Sequence, residues 1–304
     1  MSEQNIKFLP EDDLIPVFKP FTQLSQSTDW GLMQANIPAA HKVTKGAGIT
    51  VAILDTGAPN HNDVNPNLIK SIDCSGDGDA NDFQGHGTHV AGIVAACDND
   101  FGILGVAPEA KLVAIKVLDN GGHGGYSNIE RGIRAAMAEG VDIINMSLGS
   151  PIEPPQSFHQ AIIDATNQGI FIVAAAGNDS GAVNWPARYP EVIAVGAIDQ
   201  NGNLTNFSSL GPQISVIAPG DNIYSTYLNN QYAILRGTSQ ASPFVAGLCA
   251  LILAKHRNDS SLLELKTLQD MYRELDRLCD PKGKVVTGKE GNFGFGIPKD
   301  CNNI

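Results

Sequence analysis

ITVAILD, residues 49–55, decides the architecture. It is apolar on both faces, too short for a helix, and ends on a carboxylate, Asp55. A strand without a polar face belongs between two covering layers, as in a parallel sheet flanked by helices. The runs KLVAIKVL (111–118), VDIINMSLG (141–149), GIFIVAAAG (169–177) and EVIAVGAI (191–198) repeat the pattern. Between them lie helix-period segments, HVAGIVAA (89–96), SNIERGIRAAMAEG (127–140) and SFHQAIIDATNQG (157–169), the last two closing on glycine at the C′ position. Strand–helix alternation implies right-handed βαβ units. The fold class expected is α/β, a three-layer α/β/α sandwich with a mostly parallel central sheet. An apolar helix (240–256) and an amphipathic one (261–278) close the chain. The first 29 residues fit no period and read as a polar, proline-broken appendage.

The 304 residues are 42% hydrophobic and 17% charged, which supports a large core and excludes disorder. A net charge of −12 argues against a nucleic-acid partner, which asks for a basic face. Five cysteines with no CxxC pair suggest free thiols in a reducing compartment. The acidic start, interrupted by Pro10 and Pro16, does not read as a signal peptide, and no apolar run nears the ~18 residues of a membrane span. These features point to a cytoplasmic protein without a membrane partner; a homodimer stays open.

The polar residues of interest gather at strand ends. Asp55 ends the first strand, Ser147 closes the strand from Val141, and Asn178 follows AAAG. Ligands of open α/β sheets bind outside the carboxyl ends of the strands, although an Asp there also serves as a turn cap. In GHGTHVAG (85–92), His86 and His89 lack the glutamate and i,i+4 spacing of a zincin. That leaves His86 as a base between two glycines and His89 as a core residue, with a two-histidine metal site as the rival reading. In GTSQASP (237–243), Ser239 opens an apolar helix, where N–H groups and the dipole favour negative charge; an ordinary N-cap serine sits in the same place. An Asp, a His and a Ser supply orienter, base and nucleophile.

In this order, LDTG, GHGTHVAG, AAAGN and GTSQASP resemble the subtilase family of serine proteases over about residues 25–255. The resemblance implies a serine endopeptidase acting on protein and peptide substrates with broad specificity. Asp55 would orient, His86 would be base and then acid, and Ser239 would attack, with Asn178 and the Ser239 N–H as the oxyanion hole. Gln240 departs from the methionine that most relatives carry. Ser147, Leu148 and Gly149 on one side, Gly122 and Gly124 on the other, would sandwich an extended substrate. Tyr126, Ile129 and Leu148 match a pocket for the fourth residue before the cut, though all three also read as core. Ala175 to Gly177 would wall the pocket for the residue before the cut, with Asp179 and Asn184 near its rim. A silent peptide-binding module on this fold is the other rival.

The family's calcium loop carries over to Cys97 O, the Asn99 side chain, Phe101 O and Ile103 O, joined by side-chain oxygens of Asp63 and Gln26; such a set suits Ca2+. The run DCSGDGDAND (73–82) lacks the central glycine and closing glutamate of an EF-hand and reads as a solvated loop. A short start resembles the intracellular subtilisin branch, whose extension lies across its own active site. Residues 1–25 would then be an inhibitory extension, a partner of the peptidase domain at 26–304, with Leu14, Ile15, Pro16, Val17 and Phe18 as its plug. The aromatic residue stands one position later than in that branch.

Overall fold

All five buried runs enter one seven-stranded parallel sheet of the computed structural model, which describes residues 6–9, 17–18, 25–280 and 294–304. In chain order the first strands are β1 (Ile6–Lys7), β2 (Val17–Phe18), β3 (Thr50–Asp55), β4 (Leu68–Asp73), β5 (Lys111–Lys116) and β6 (His123–Gly124). β7 (Ile143–Met146), β8 (Phe171–Ala175), β9 (Val192–Ile198), β10 (Ile214–Pro219), β11 (Ile223–Tyr227) and β12 (Gln231–Leu235) follow. The helices are α1 (Trp30–Gln34), α2 (Ile37–Ala40), α3 (His86–Ala95), α4 (Tyr126–Ala138), α5 (Gln156–Asn167), α6 (Thr238–Asn258) and α7 (Leu268–Leu278).

The sheet order is β10-β9-β8-β7-β3-β5-β4. Alternation along β3 divides the core. Val51 and Ile53 join Val90 and Val94 of α3 and Leu248 of α6, whereas Ala52 and Leu54 join Ile133 of α4 and Ile162 of α5. Two helical layers therefore cover the sheet, as the sequence implies. The chain winds from β3 out to β4 and β5, then crosses to β7 on the other side of β3. The carboxyl end of β3, where Asp55 sits, is thus the point at which the winding reverses. α4 and α5 end before Gly140 (φ 65°) and Gly169 (φ 81°), as expected of C′ glycines.

Several boundaries differ from the sequence reading. The edge strands β4 and β10 carry no buried-strand signature in the sequence, because LIKSID leaves Ile69 58% exposed and ISVIAP is broken by Ser215 and Pro219. α3 starts at His86 rather than His89. α7 starts at Leu268 rather than Ser261, because Thr267 and Asp270 form a capping box. The greatest difference is at the start of the chain. β1 pairs antiparallel with β6, and Phe8 and Leu9 are buried, so this part of the supposed appendage is packed. β2 adds to the β11–β12 hairpin at Ile234 and Ala233. Leu14, Ile15 and Pro16 lie outside the described residues. All five cysteines are unpaired, and among the described residues no helix is long and apolar enough to cross a membrane.

Candidate active site

Asp55 is fully buried, and its Oδ1 lies 2.8 Å from His86 Nδ1 and accepts Thr56 N–H at 2.7 Å. His86 is the first residue of α3 and is buried too. The turn delivering it is tightly specified. Gly85 has φ 102°, and a Cβ there would lie 2.4 Å from Tyr227 Cζ, so only glycine fits. Buried Asp82 accepts N–H bonds from Gln84, Gly85 and Thr88 and hydroxyl bonds from Thr56 and Thr88. Thr56 Oγ1 in turn accepts Gly87 N–H at 2.9 Å. This network locks the β3 end against the α3 start, and thereby Asp55 against His86.

His89 is elsewhere. Its Nε2 stands 3.2 Å from both Ile223 O and Ala233 O, and burial lowers its pKa to about 3. One neutral ring facing two carbonyls is a structural histidine, and the two-histidine metal reading loses its second ligand.

Ser239 is the second residue of the 21-residue α6, 3% exposed, after Gly237 (φ 151°). Pro243 lies beyond the first turn and has no N–H to give to the carbonyl four residues back, which is Ser239 O. Ser147 Oγ takes that role, donating to Ser239 O at 2.8 Å. Asn145 Nδ2 donates to Ser147 Oγ, and Ser242 Oγ donates to Asn145 Oδ1, tying the β7 end to the first turn of α6. Ser147 was read as backbone of the groove; its side chain also anchors the serine turn. Asn178 follows β8 and accepts from Thr238 N (2.8 Å) and Thr238 Oγ1 (2.9 Å). Asp82, expected in the solvated loop 73–82, is instead buried because five hydrogen bonds satisfy its carboxylate; Thr56, Asn145, Thr238 and Ser242 carry no distinguishing signal of their own in the sequence. Pro243 four residues after Ser239 was the one local signal for part of this set.

The groove segments come together around the chain's own start. Phe8 N–H donates to Gly122 O at 3.0 Å, and Gly149 N–H donates to Phe8 O at 3.3 Å. Ile6 pairs with Gly124 and Lys7 with His123, so β1 and Phe8 lie between the two segments. The Phe8 ring meets Tyr126 edge-on at 5.2 Å and shares a buried cluster with Ile129 and Leu148. The sequence reading gave the groove to Leu14–Phe18; the described residues lying along it are Ile6–Leu9. Ala175 is buried at the end of β8, and Gly177 (φ 113°) donates its N–H to Thr238 Oγ1.

The calcium-loop residues also converge. Buried Asp63 accepts from Asn99 Nδ2 (2.9 Å), Ile103 N (2.8 Å) and Tyr232 OH (3.2 Å). The Gln26 amide reaches Cys97 O at 2.5 Å and Ile103 O at 3.0 Å. Asn99 Oδ1 accepts Phe101 N–H. A Cβ on Gly102 would stand 2.1 Å from Asp63 Oδ2, so the loop closes around the carboxylate only with glycine there. Burial raises the Asp63 pKa against these hydrogen bonds. The six residues carried over from the calcium loop thus lie together, but here Asp63 is held by N–H and O–H donors and the Gln26 amide nitrogen, not its oxygen, meets the Cys97 and Ile103 carbonyls.

Residues 46–295 match the model of the subtilase family of peptidases. M-protease of Shouchella clausii is 42% identical over 262 residues, which are 86% of this chain and 67% of the relative. An alkaline protease of Alkalihalobacillus alcalophilus is 44% identical over 79% of this chain, which spans only 63% of that protein's length. Subtilisin DY of Bacillus licheniformis is 51% identical over 70% of this chain and 79% of its own. A match across most of the chain and identities well above 30% settle the lineage: the chain belongs to the subtilase family, the subtilisin-like serine peptidases.

Proposed function

We propose that the chain is a calcium-stabilised endopeptidase that cleaves protein and peptide substrates through Ser239 and holds its own N-terminal segment in the substrate groove. The observation that carries the catalytic part is the 2.8 Å contact between Asp55 Oδ1 and His86 Nδ1, both buried. In this mechanism Asp55 fixes the tautomer with the proton on Nδ1, so that Nε2 accepts the Ser239 proton during attack on the peptide carbon. The carboxylate then stabilises the imidazolium, which returns its proton to the departing amine. The acyl-enzyme is hydrolysed by water through the same base. The oxyanion meets the Asn178 amide and the Ser239 N–H at the start of α6. Labelling by a fluorophosphonate probe tests this reading: the full chain should label, and Ser239→Ala should not. An unlabelled full chain that still hydrolyses peptides in excess chelator would favour a different hydrolase.

Gln26, Asp63, Cys97 O, Asn99, Phe101 O and Ile103 O would hold the Ca2+, whose charge offsets the desolvation of Asp63. A cation that binds only the folded loop stabilises by ~2.7 kcal/mol at a hundredfold excess over its dissociation constant. Chelator should therefore lower the melting temperature and hasten autolysis, and Asp63→Asn should remove the response. Identical melting curves with and without chelator, on protein free of metal, would exclude the site.

The N-terminal reading rests on Phe8, whose N–H and carbonyl bond to opposite walls of the groove. β2 then pairs with β12, just before the Ser239 turn. Residues 1–25 would thus regulate the peptidase at 26–304 by occupying the site of an incoming substrate strand. A tethered segment has an effective concentration near ~1 mM, so one with an intrinsic dissociation constant of ~0.1 mM occupies the groove about nine-tenths of the time. Removing residues 1–18 should raise the initial rate by about tenfold and abolish any lag. Phe8→Ala should give part of that gain. Equal initial rates, read before any self-cleavage, would show that the segment does not inhibit.

A further inference from the structure

Asp55 Oδ1 meets both His86 Nδ1 and Thr56 N–H, but Asp55 Oδ2 is buried without a hydrogen-bond partner among the described residues. A second buried carboxylate, Asp82, joins the same turn through Thr56 Oγ1. Negative charges beside an imidazole favour its protonated form, which cannot act as a base. Lys116 stands where it can oppose them. It ends β5 as the Cα partner of Asp55 at the end of β3. Val51 and Ile53 of β3 and Leu112 of β5 join the cluster beneath α3, so the alternation along each strand sends Asp55 and Lys116 to that same face. Among the described residues Lys116 is the only buried lysine or arginine, 1% exposed.

The Lys116 ammonium donates to Thr56 O at 2.6 Å and to Asn120 Oδ1 at 3.3 Å, and lies 3.6 Å from Asp77 Oδ2 on a side chain 42% exposed. Thr56 is thereby held at every polar group: its N–H by Asp55, its hydroxyl by Asp82 and Gly87, its carbonyl by Lys116. The other charges near the ammonium are Asp79 and Asp119, which line a cavity with it and Asp77. Those facing His86 are Asp55 and, through the Thr56 turn, Asp82, with His89 neutral behind it. We infer that Lys116 is a positioning residue for the catalytic pair: it fixes the turn after Asp55 and offsets the buried carboxylates, so that His86 stays an unprotonated base on the acid side of neutrality. This inference rests on the peptidase reading above and adds what keeps its base ready.

The test is the acid limb of the kcat/KM profile against pH, read with one peptide on the full-length chain. A nearby cation disfavours the imidazolium, so losing it moves protonation of His86 to higher pH. Lys116→Met, similar in length and uncharged, should therefore move the limb up by about half a unit to one unit, as for unit charges roughly 10 Å apart at an effective dielectric constant of about 20–40. Lys116→Arg keeps the charge and should leave the limb in place even if turnover slows. Asp77→Asn removes the anion opposite the ammonium and should move the limb down, by less, since solvent screens Asp77. A merely structural lysine would change the rate or the melting temperature and leave the limb where it was. Fluorophosphonate labelling of Ser239 at a pH above the limb reports that each variant has folded. A labelled Lys116→Met chain with an unmoved limb overturns the Lys116 assignment and leaves the peptidase reading standing. Should that variant fail to fold, an unmoved limb in Asp77→Asn does the same. An unaltered chain that neither labels nor cleaves overturns both.

Discussion

Replacing Ser239 by alanine should lower kcat for peptide hydrolysis by about a millionfold, and His86→Ala should cost about as much. That magnitude is the one found for subtilisin, the namesake of this family. The two losses should be similar and far from additive, because in the proposed mechanism serine and imidazole would act as one unit, neither transferring a proton usefully without the other. Asp55→Asn should cost less than either, since it alters the tautomer and leaves the nucleophile and base in place. Single-turnover hydrolysis of one peptide, with circular dichroism on each variant, checks the series. His89 provides the control. Its ring bonds the carbonyls of Ile223 and Ala233 deep behind α3, so His89→Ala should lower the melting temperature and leave fluorophosphonate labelling intact in the folded fraction. A folded, inactive His89 variant beside an active His86 variant would reverse the assignment.

The contrast between these two histidines shows what a single chain discloses. Both stand in GHGTHVAG, and spacing separates them only by the glycines around His86. What distinguishes them in three dimensions is the Asp82–Thr56–Thr88 network, which joins residues 26 and 32 positions apart on two different elements. No periodicity marks such a network, because each member is an ordinary loop or cap residue until the turn forms. The central strands were legible for the opposite reason. A strand buried on both faces is apolar at most positions, so ITVAILD carries its burial in its composition. The edges β4 and β10 do not, since one is half-exposed and the other is interrupted by polar and proline residues. Phe8 and Leu9 mark the limit of this reasoning. Two apolar residues among acids and prolines show no pattern, and their burial is decided by Gly122, Tyr126 and Gly149, more than a hundred positions away.

Asn178→Leu should lower kcat by about 10²–10³ with KM little changed. The size of the loss is that of removing the equivalent amide donor in subtilisin; its appearance in kcat follows from what the donor meets. In the proposed mechanism the negative charge that Asn178 would stabilise exists only once Ser239 has attacked, so a bound substrate in its ground state would gain nothing from it. Leucine keeps the shape of the side chain and removes the amide, which separates chemistry from packing. The structure also explains why the donor would be effective without rearrangement. Thr238 gives both its N–H and its hydroxyl to Asn178 Oδ1, and that same hydroxyl accepts Gly177 N–H. The oxygen end of the amide is thereby committed to the turn that carries Ser239, which settles the orientation of the Nδ2 end in advance. Thr238→Val tests this positioning: it removes one of the two anchors, so kcat should fall by a few-fold while Asn178 remains. In the Asn178→Leu background the same change should have almost no further effect, because there is no amide left to orient. Equal penalties in both backgrounds would mean that Thr238 supports the turn and not the amide. A rise in KM at constant kcat for Asn178→Leu would mean that Asn178 binds substrate and not the oxyanion.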